Sequence, residues 1–173
     1  VSPSDRPVFL VGFMGSGKTS VGRRLAEELD RDFLDTDDLV VEREGRPIAR
    51  IFRESGEAAF RRAEWEAVQA VGARSGCVVA TGGGLFQAAD RRRWLREHGI
   101  TVWLDAPLDE CVRRIGPDAG RPLWTPAADP VAFRALYERR RAAYALAAVR
   151  VPASGSVEEV VRELLRRLVP VFP

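Results

Sequence analysis

Apolar residues fall along the chain in short runs and helical stripes that alternate. Pro7 to Gly12 is a brief apolar run closed by glycine. It is followed by a glycine-rich turn and by VGRRLAEELD, where Val21, Leu25 and Leu29 recur at helical spacing. The pattern predicts strand, loop, helix. Phe33 and Leu34 mark a second extended piece, running into Asp35, Thr36 and Asp37, and DLVVERE begins a second helix. Pro47 suits the first turn of the helix IARIFRESG, and GEAAFRRAEWEAVQAVGARSG predicts a longer one. CVVATGGG has the character of a buried strand stopped by three glycines. Further along, the chain predicts a charged helix from about Asp90 to Gly99, a strand ITVWLD and a helix Pro107 to Ile115. The glycines and prolines of GPDAGRPLWTPAADP break any regular element. Helix returns over Pro130 to Ala148, VRVPAS is a last strand, and SVEEVVRELLRRLV is an amphipathic helix.

Strands alternating with helices predict an α/β protein with a parallel sheet covered on both faces. Ligands in such sheets bind beyond the carboxyl ends of the strands. Gly12 to Thr19, Asp35 to Asp37 and Gly82 to Gly84 all follow strands, so they are expected on one edge. At 173 residues the chain fits one domain, with no repeat or linker to divide it.

Composition narrows the picture mainly by exclusion. It is 46% hydrophobic and 30% charged, as in soluble globular proteins, and no apolar run reaches the length of a membrane span. No signal peptide is visible at the start, which makes the cytoplasm the expected compartment. Cys77 and Cys111 lack metal or redox spacing, and the one histidine, His98, is expected simply to end a helix. Basic residues are interspersed with acidic ones, leaving no patch or motif for nucleic acid. Of the 27 basic residues all but Lys18 are arginine. The sole lysine lies inside a phosphate loop.

That loop is GFMGSGKT, Gly12 to Thr19, which matches GxxxxGK[ST] between a strand and a helix. Its glycines let backbone N–H groups turn toward phosphate at a helix N-terminus. Lys18 is expected to reach the β and γ phosphates of ATP, and Thr19 the Mg²⁺. Asp35 and Asp37, two apart in an extended segment, can share a site as acceptor base and metal-side carboxylate, or can cap the next helix. Thr81-Gly82-Gly83-Gly84 permits close approach to a ligand or makes a plain turn. Glu57, Arg61 and Glu64 at helical spacing equally describe a surface ion-pair ladder. Arg121, in the Pro/Gly-rich stretch, and Arg140, in the helix after it, fit either a closing lid or a solvated surface.

Together GFMGSGKTSVGRRLAEEL, DFLDTD, GRPIARIFRESGEAAFRRAE, TGGG and RRIGPDAGRPL resemble the shikimate kinase family, in its order and at its approximate spacings. The resemblance covers nearly the whole chain. It implies a single-domain P-loop kinase fold: a central five-stranded parallel sheet (7–35, 77–84, 100–105, 149–153), acceptor-binding helices over about 36–75, and a mobile lid at about 116–128. It implies transfer of phosphate from ATP, with Mg²⁺, to the 3-hydroxyl of shikimate by a monomer. By the same resemblance, Gly12, Gly15, Ser16, Gly17, Lys18, Thr19 and Ser20 bind ATP together with Arg114, which stacks on adenine, and Arg121, the lid arginine. Asp37 is the implied base, Thr19 and Asp35 the metal side, Asp35 acting through water. Arg61 and Arg140 would grip the substrate carboxylate, with Glu64 orienting Arg61, Gly83 and Gly84 giving backbone contacts, and Phe52 and Phe60 walling the ring.

Two departures stand out. Ala142 occupies a position where the family often has proline, so of the consecutive Arg139, Arg140 and Arg141 the facing one is assigned by counting back from Tyr144. Trp124 is bulkier than the usual residue after RPL. Another small-molecule kinase of this fold, for gluconate or a nucleoside monophosphate, would share the phosphate loop but lack DTD with FRxxE. A silent nucleotide-binding module would have lost the lysine, the base or the lid arginine.

Overall fold

The computed structural model describes residues 5–72, 74, 76–115 and 130–169. The segment expected to form the lid, with Arg121 and Trp124, lies outside the described residues. Five strands, β1 (Val8–Val11), β2 (Asp32–Asp35), β3 (Cys77–Ala80), β4 (Ile100–Asp105) and β5 (Val149–Pro152), form one sheet in the order β2-β3-β1-β4-β5. All pairs are parallel. The central strands VFLV and CVVA are apolar throughout because helices cover both faces. The expected five-stranded parallel α/β sheet is what the chain forms.

Helices α1 (Lys18–Leu29), α2 (Thr36–Glu44), α3 (Ile48–Gly72), α4 (Ala89–His98), α5 (Leu108–Ile115), α6 (Pro130–Tyr144) and α7 (Val157–Leu168) complete the structure. Helix α3 joins the two helices predicted there, broken at Gly56 (φ 79°, ψ 171°). Helix α6 stops at Tyr144, four residues before the predicted end, and the Ala148 N–H donates to Thr101 Oγ1 at 3.0 Å as β5 begins. A 3-10 turn at Leu85–Gln87, too short to leave a periodic signal, buries Leu85 and Phe86. Ser156 and Glu159 cap α7 reciprocally: Glu159 N–H donates to Ser156 Oγ, and Ser156 N–H to Glu159 Oε2.

Two apolar clusters result. The larger surrounds the sheet, joining Phe9, Leu25, Leu104, Leu164 and Tyr144. The smaller, Val40, Ile51, Phe60, Ala63 and Ala67, seals α2 against α3 beside the sheet edge. It gives these two helices an anchorage of their own. Among the described residues no helix is long and apolar enough to cross a membrane. Cys77 and Cys111 are buried free thiols, and burial pushes the Cys111 thiol up to about 11, which keeps it protonated.

Candidate active site

The ends of β1, β2 and β3 open onto one cleft of about 750 Å³, lined by Gly15, Gly17, Lys18, Thr19, Asp35 and Asp37 among others. Gly82 and Gly83 close one side, and Arg114 with Ser154 to Val157 the other. The three glycine and acidic motifs therefore converge on one edge of the sheet.

The phosphate loop leaves β1 at Gly12 and enters α1 through Gly17, whose φ of 93° is a conformation that a side chain would strain. The Lys18 ammonium is buried and donates to Gly12 O and Phe13 O, both at 2.9 Å. These bonds fold the lysine back along its own loop, beneath the N–H groups that would cradle a phosphate. The Arg114 guanidinium spans the loop, donating to Ser16 O (3.4 Å) and Gly155 O (3.3 Å) while paired with Glu110 at 2.8 Å.

Asp35 caps the helix and also meets the phosphate loop. Its Oδ1 accepts from the Asp37 N–H (3.0 Å) and caps α2, and its Oδ2 accepts from Thr19 Oγ1 (2.9 Å). The Thr19 hydroxyl and a carboxylate thus stand together at the mouth of the phosphate loop. Such hard oxygen donors suit Mg²⁺, which takes few protein ligands and keeps waters and substrate phosphates. Among the described residues no three His, Cys, Asp or Glu side chains cluster so as to hold a metal ion.

On α3, Arg61 Nη1 donates to Glu64 Oε2 (3.1 Å) and Nη2 to Glu57 Oε1 (3.2 Å). The ladder is real, but it is not a surface ornament: Glu64 is fully buried. A Cβ placed on Gly84 would lie 2.8 Å from Arg61 Cζ, and one on Gly83 would lie 3.3 Å from Arg140 Nη1. Both guanidinium groups therefore press on the glycine turn. Phe60 lies 5.1 Å under the Arg61 guanidinium and 4.8 Å from the Phe52 ring. Of the three consecutive arginines, Arg140 is buried, Arg141 pairs with Asp105 at 2.8 Å, and Arg139 is exposed.

Glu64 Oε1 has no hydrogen-bond partner among the described residues and abuts Gly82, where a Cβ would also have Asp37 Oδ1 at 3.6 Å. Burial pushes the Glu64 carboxyl above its ordinary value of 4.5; Arg61 opposes the shift and the Asp37 charge adds to it. Because the folded-state pKa is raised, this group's contribution to stability is complete below about pH 4.5 and is lost as pH rises through the folded value. Replacing Glu64 by Gln removes that titration. The difference in unfolding free energy, Glu64→Gln minus the unchanged protein, is expected to grow in the variant's favour as pH is raised above 4.5, then level off. Denaturant unfolding across that range measures it, and a pH-independent difference would show that Glu64 does not titrate on folding.

Sequence reasoning missed several contributors. Thr36 Oγ1 accepts from the Gly82 N–H at 3.0 Å, tying the DTD segment to the glycine turn. Glu110 anchors Arg114, and the Ser154 to Val157 loop forms a wall. For that wall a signal was present: Ser156 three residues before Glu159 marks a capping box, hence a helix start beyond a strand end. His98, assigned no role, stacks on Trp94 (3.9 Å between centroids) away from the cleft.

The shikimate kinase family model matches residues 14–169. The chain belongs to the shikimate kinase family. A shikimate kinase of Geobacter sulfurreducens is 47% identical over 164 residues, covering 94% of this chain and 91% of that protein. The solved shikimate kinase of Acinetobacter baumannii, in complex with shikimate, superposes with a TM-score of 0.90 at 34% identity, over 95% of this chain and 93% of that one. A gluconokinase from Sinorhizobium meliloti shares the fold alone, with a TM-score of 0.60 and 22% identity over 97% of this chain and 94% of that one. As a member of the family, the chain is an ATP-using P-loop enzyme with shikimate kinase activity, on the pathway to aromatic amino acids.

Proposed function

We propose that the γ-phosphoryl group of ATP is transferred to the 3-hydroxyl of shikimate in this cleft, with Asp37 as base and with Arg61 and Arg140 holding the substrate carboxylate. One observation carries the acceptor assignment. Arg140 is 7% exposed, yet no carboxylate pairs with it among the described residues, and burial pushes its guanidinium below the usual arginine value. A buried cation without a counter-ion is costly, and a ligand anion beside Gly83 would supply what the fold omits.

Position, and for Arg121 the match to the family, supports each remaining role. Lys18 would turn from Gly12 O and Phe13 O to the β and γ phosphates, and the N–H groups of Gly15, Ser16, Gly17, Thr19 and Ser20 would hold the phosphate chain. Arg114 would lie on the adenine, between the phosphate loop and Gly155. Thr19 directly, and Asp35 through water, would hold Mg²⁺, which when bound supplies charge neutralisation at the phosphates. Asp37, beside Gly82, would accept the hydroxyl proton as the oxygen attacks. Arg121 would complete the phosphate clamp by its match to the family's GRPL arginine. Gly83 and Gly84 would offer backbone contacts to the acceptor, Glu64 would aim Arg61, and Phe52 and Phe60 would wall the ring. The reading extends to a monomeric cytoplasmic enzyme folded as one domain. Phosphoryl transfer needs positioning and charge neutralisation more than covalent help, and these residues supply both.

The direct test is ADP release from ATP and Mg²⁺ with shikimate, run beside gluconate, CMP, AMP and no acceptor. Turnover with shikimate alone is expected, yielding shikimate 3-phosphate by phosphorus NMR. Turnover with another acceptor and none with shikimate would remove the acceptor-site assignment. Arg61→Ala is expected to raise the shikimate KM by about 10- to 100-fold, the worth of a charged hydrogen-bond pair, with the ATP KM within about twofold. Equal weakening of both substrates would count against Arg61 as a carboxylate ligand.

A further inference from the structure

Arg140 is fixed by a side chain that neither the phosphate loop nor the acceptor motifs include. Tyr144 sits one turn further along α6, on the same helical face, and is 1% exposed. Its hydroxyl donates to Gly83 O at 2.5 Å and, like the Arg140 guanidinium, stands against Gly83. A phenol has one proton to give and lone pairs to receive, so it can accept from the guanidinium and donate to the carbonyl at once. A Cβ on Gly83 would find Arg140 Nη1 at 3.3 Å, Gly12 O at 3.4 Å and Tyr144 Oη at 3.5 Å. Arginine, phenol, glycine turn and the start of the phosphate loop thus meet at one point. The Trp103 ring, 6.2 Å away, backs the Tyr144 ring from β4. Burial pushes the Tyr144 hydroxyl well above its usual value, so the donor stays protonated at any working pH.

We propose that Tyr144 is a positioning residue for the acceptor: its hydroxyl locks the Arg140 guanidinium against Gly83, so that the arginine's remaining donors face the substrate carboxylate. The inference rests on the reading of Arg140 as a carboxylate ligand. A buried arginine without this contact would have rotamers to choose from, and an anion would bind only the fraction correctly aimed. Tyr144→Phe keeps the ring and removes only the hydroxyl. Its shikimate KM is expected to rise about 10-fold, with kcat at saturating shikimate and the ATP KM within about twofold.

A double-mutant cycle separates this role from plain structural support. In an Arg140→Ala background, itself raised in shikimate KM, adding Tyr144→Phe is expected to cost less than about twofold, because the residue through which Tyr144 acts is gone. An unchanged KM in Tyr144→Phe overturns the proposal. So does an equal penalty in both backgrounds, which would leave the Arg140 reading standing. If Arg140→Ala leaves the shikimate KM unaltered, the carboxylate reading itself falls and takes the proposal with it. Should Tyr144→Phe fail to fold, fluorotyrosine in the unchanged sequence gives a second readout. The chain has 2 tyrosines, so the fluorine resonance of Tyr144 is assigned by loss of the other in Tyr137→Phe. Shikimate is expected to shift it and gluconate to leave it in place; indifference to shikimate would count decisively against Tyr144.

Discussion

Asp37→Asn is expected to lower kcat by about 10²- to 10⁴-fold while the KM for either substrate changes by less than about threefold. Asparagine preserves the shape of the side chain and one acceptor oxygen, so what it removes is basicity. The surroundings of Asp37 make that separation clean. Its N–H donates to Asp35 Oδ1 as part of the α2 cap, a contact that the substitution leaves intact. Its carboxylate lines the cleft beside Gly82, 3.6 Å from where a Cβ would stand. The acceptor hydroxyl must lose its proton as the bond to phosphorus forms, and among the described residues lining the cleft Asp35 is committed to Thr19 and the helix cap. Steady-state kinetics with each substrate varied in turn measure the split. An unchanged kcat would take the base role from Asp37, and a large rise in shikimate KM alone would make it a binding residue.

How much of this could be read from residues alone depended on whether the determinants were local. The strands VFLV, CVVA and ITVWLD were legible because buried parallel strands are short apolar runs with glycine or charge at their ends. The weakest, DFLD, is an edge strand with two half-buried apolar residues, and only its place before DTD gave it away. Helix α6 was overrun because ALAAV contains no breaker; what peels the chain away is a tertiary bond to Thr101, invisible locally. The arginine triplet shows the same limit. Successive helical residues point about 100° apart, and only packing decides which faces inward. Asp105 draws Arg141 away, Gly83 and Tyr144 receive Arg140, and Arg139 is left to solvent. The site motifs were legible individually, yet Glu64 could not be distinguished from a surface ladder member until its burial was known.

The largest loss is expected from Lys18→Met, which should reduce kcat/KM for ATP by about 10³-fold or more, since the proposed role of the ammonium is to neutralise charge on the transferring group. Methionine retains an unbranched stem of similar volume and so tests the charge. Lys18 already stands within the phosphate loop, buried and donating to Gly12 O and Phe13 O. Those carbonyls hold it in reserve: a phosphate entering the loop offers a charged acceptor in place of two neutral ones, and charge-assisted bonds are about twice as strong. The chain permits a check that few proteins allow, because Lys18 is its single lysine. An amine-directed acylating reagent can modify only this side chain and the N-terminal amine, which peptide mapping distinguishes. ATP with Mg²⁺ is expected to protect Lys18 from modification, and shikimate alone to leave its rate within about twofold, because the arginines assigned to the acceptor press on Gly83 and Gly84 while Lys18 bonds within its own loop. Protection by shikimate alone, or a Lys18→Met variant that retains turnover, would move the phosphate site elsewhere in the cleft.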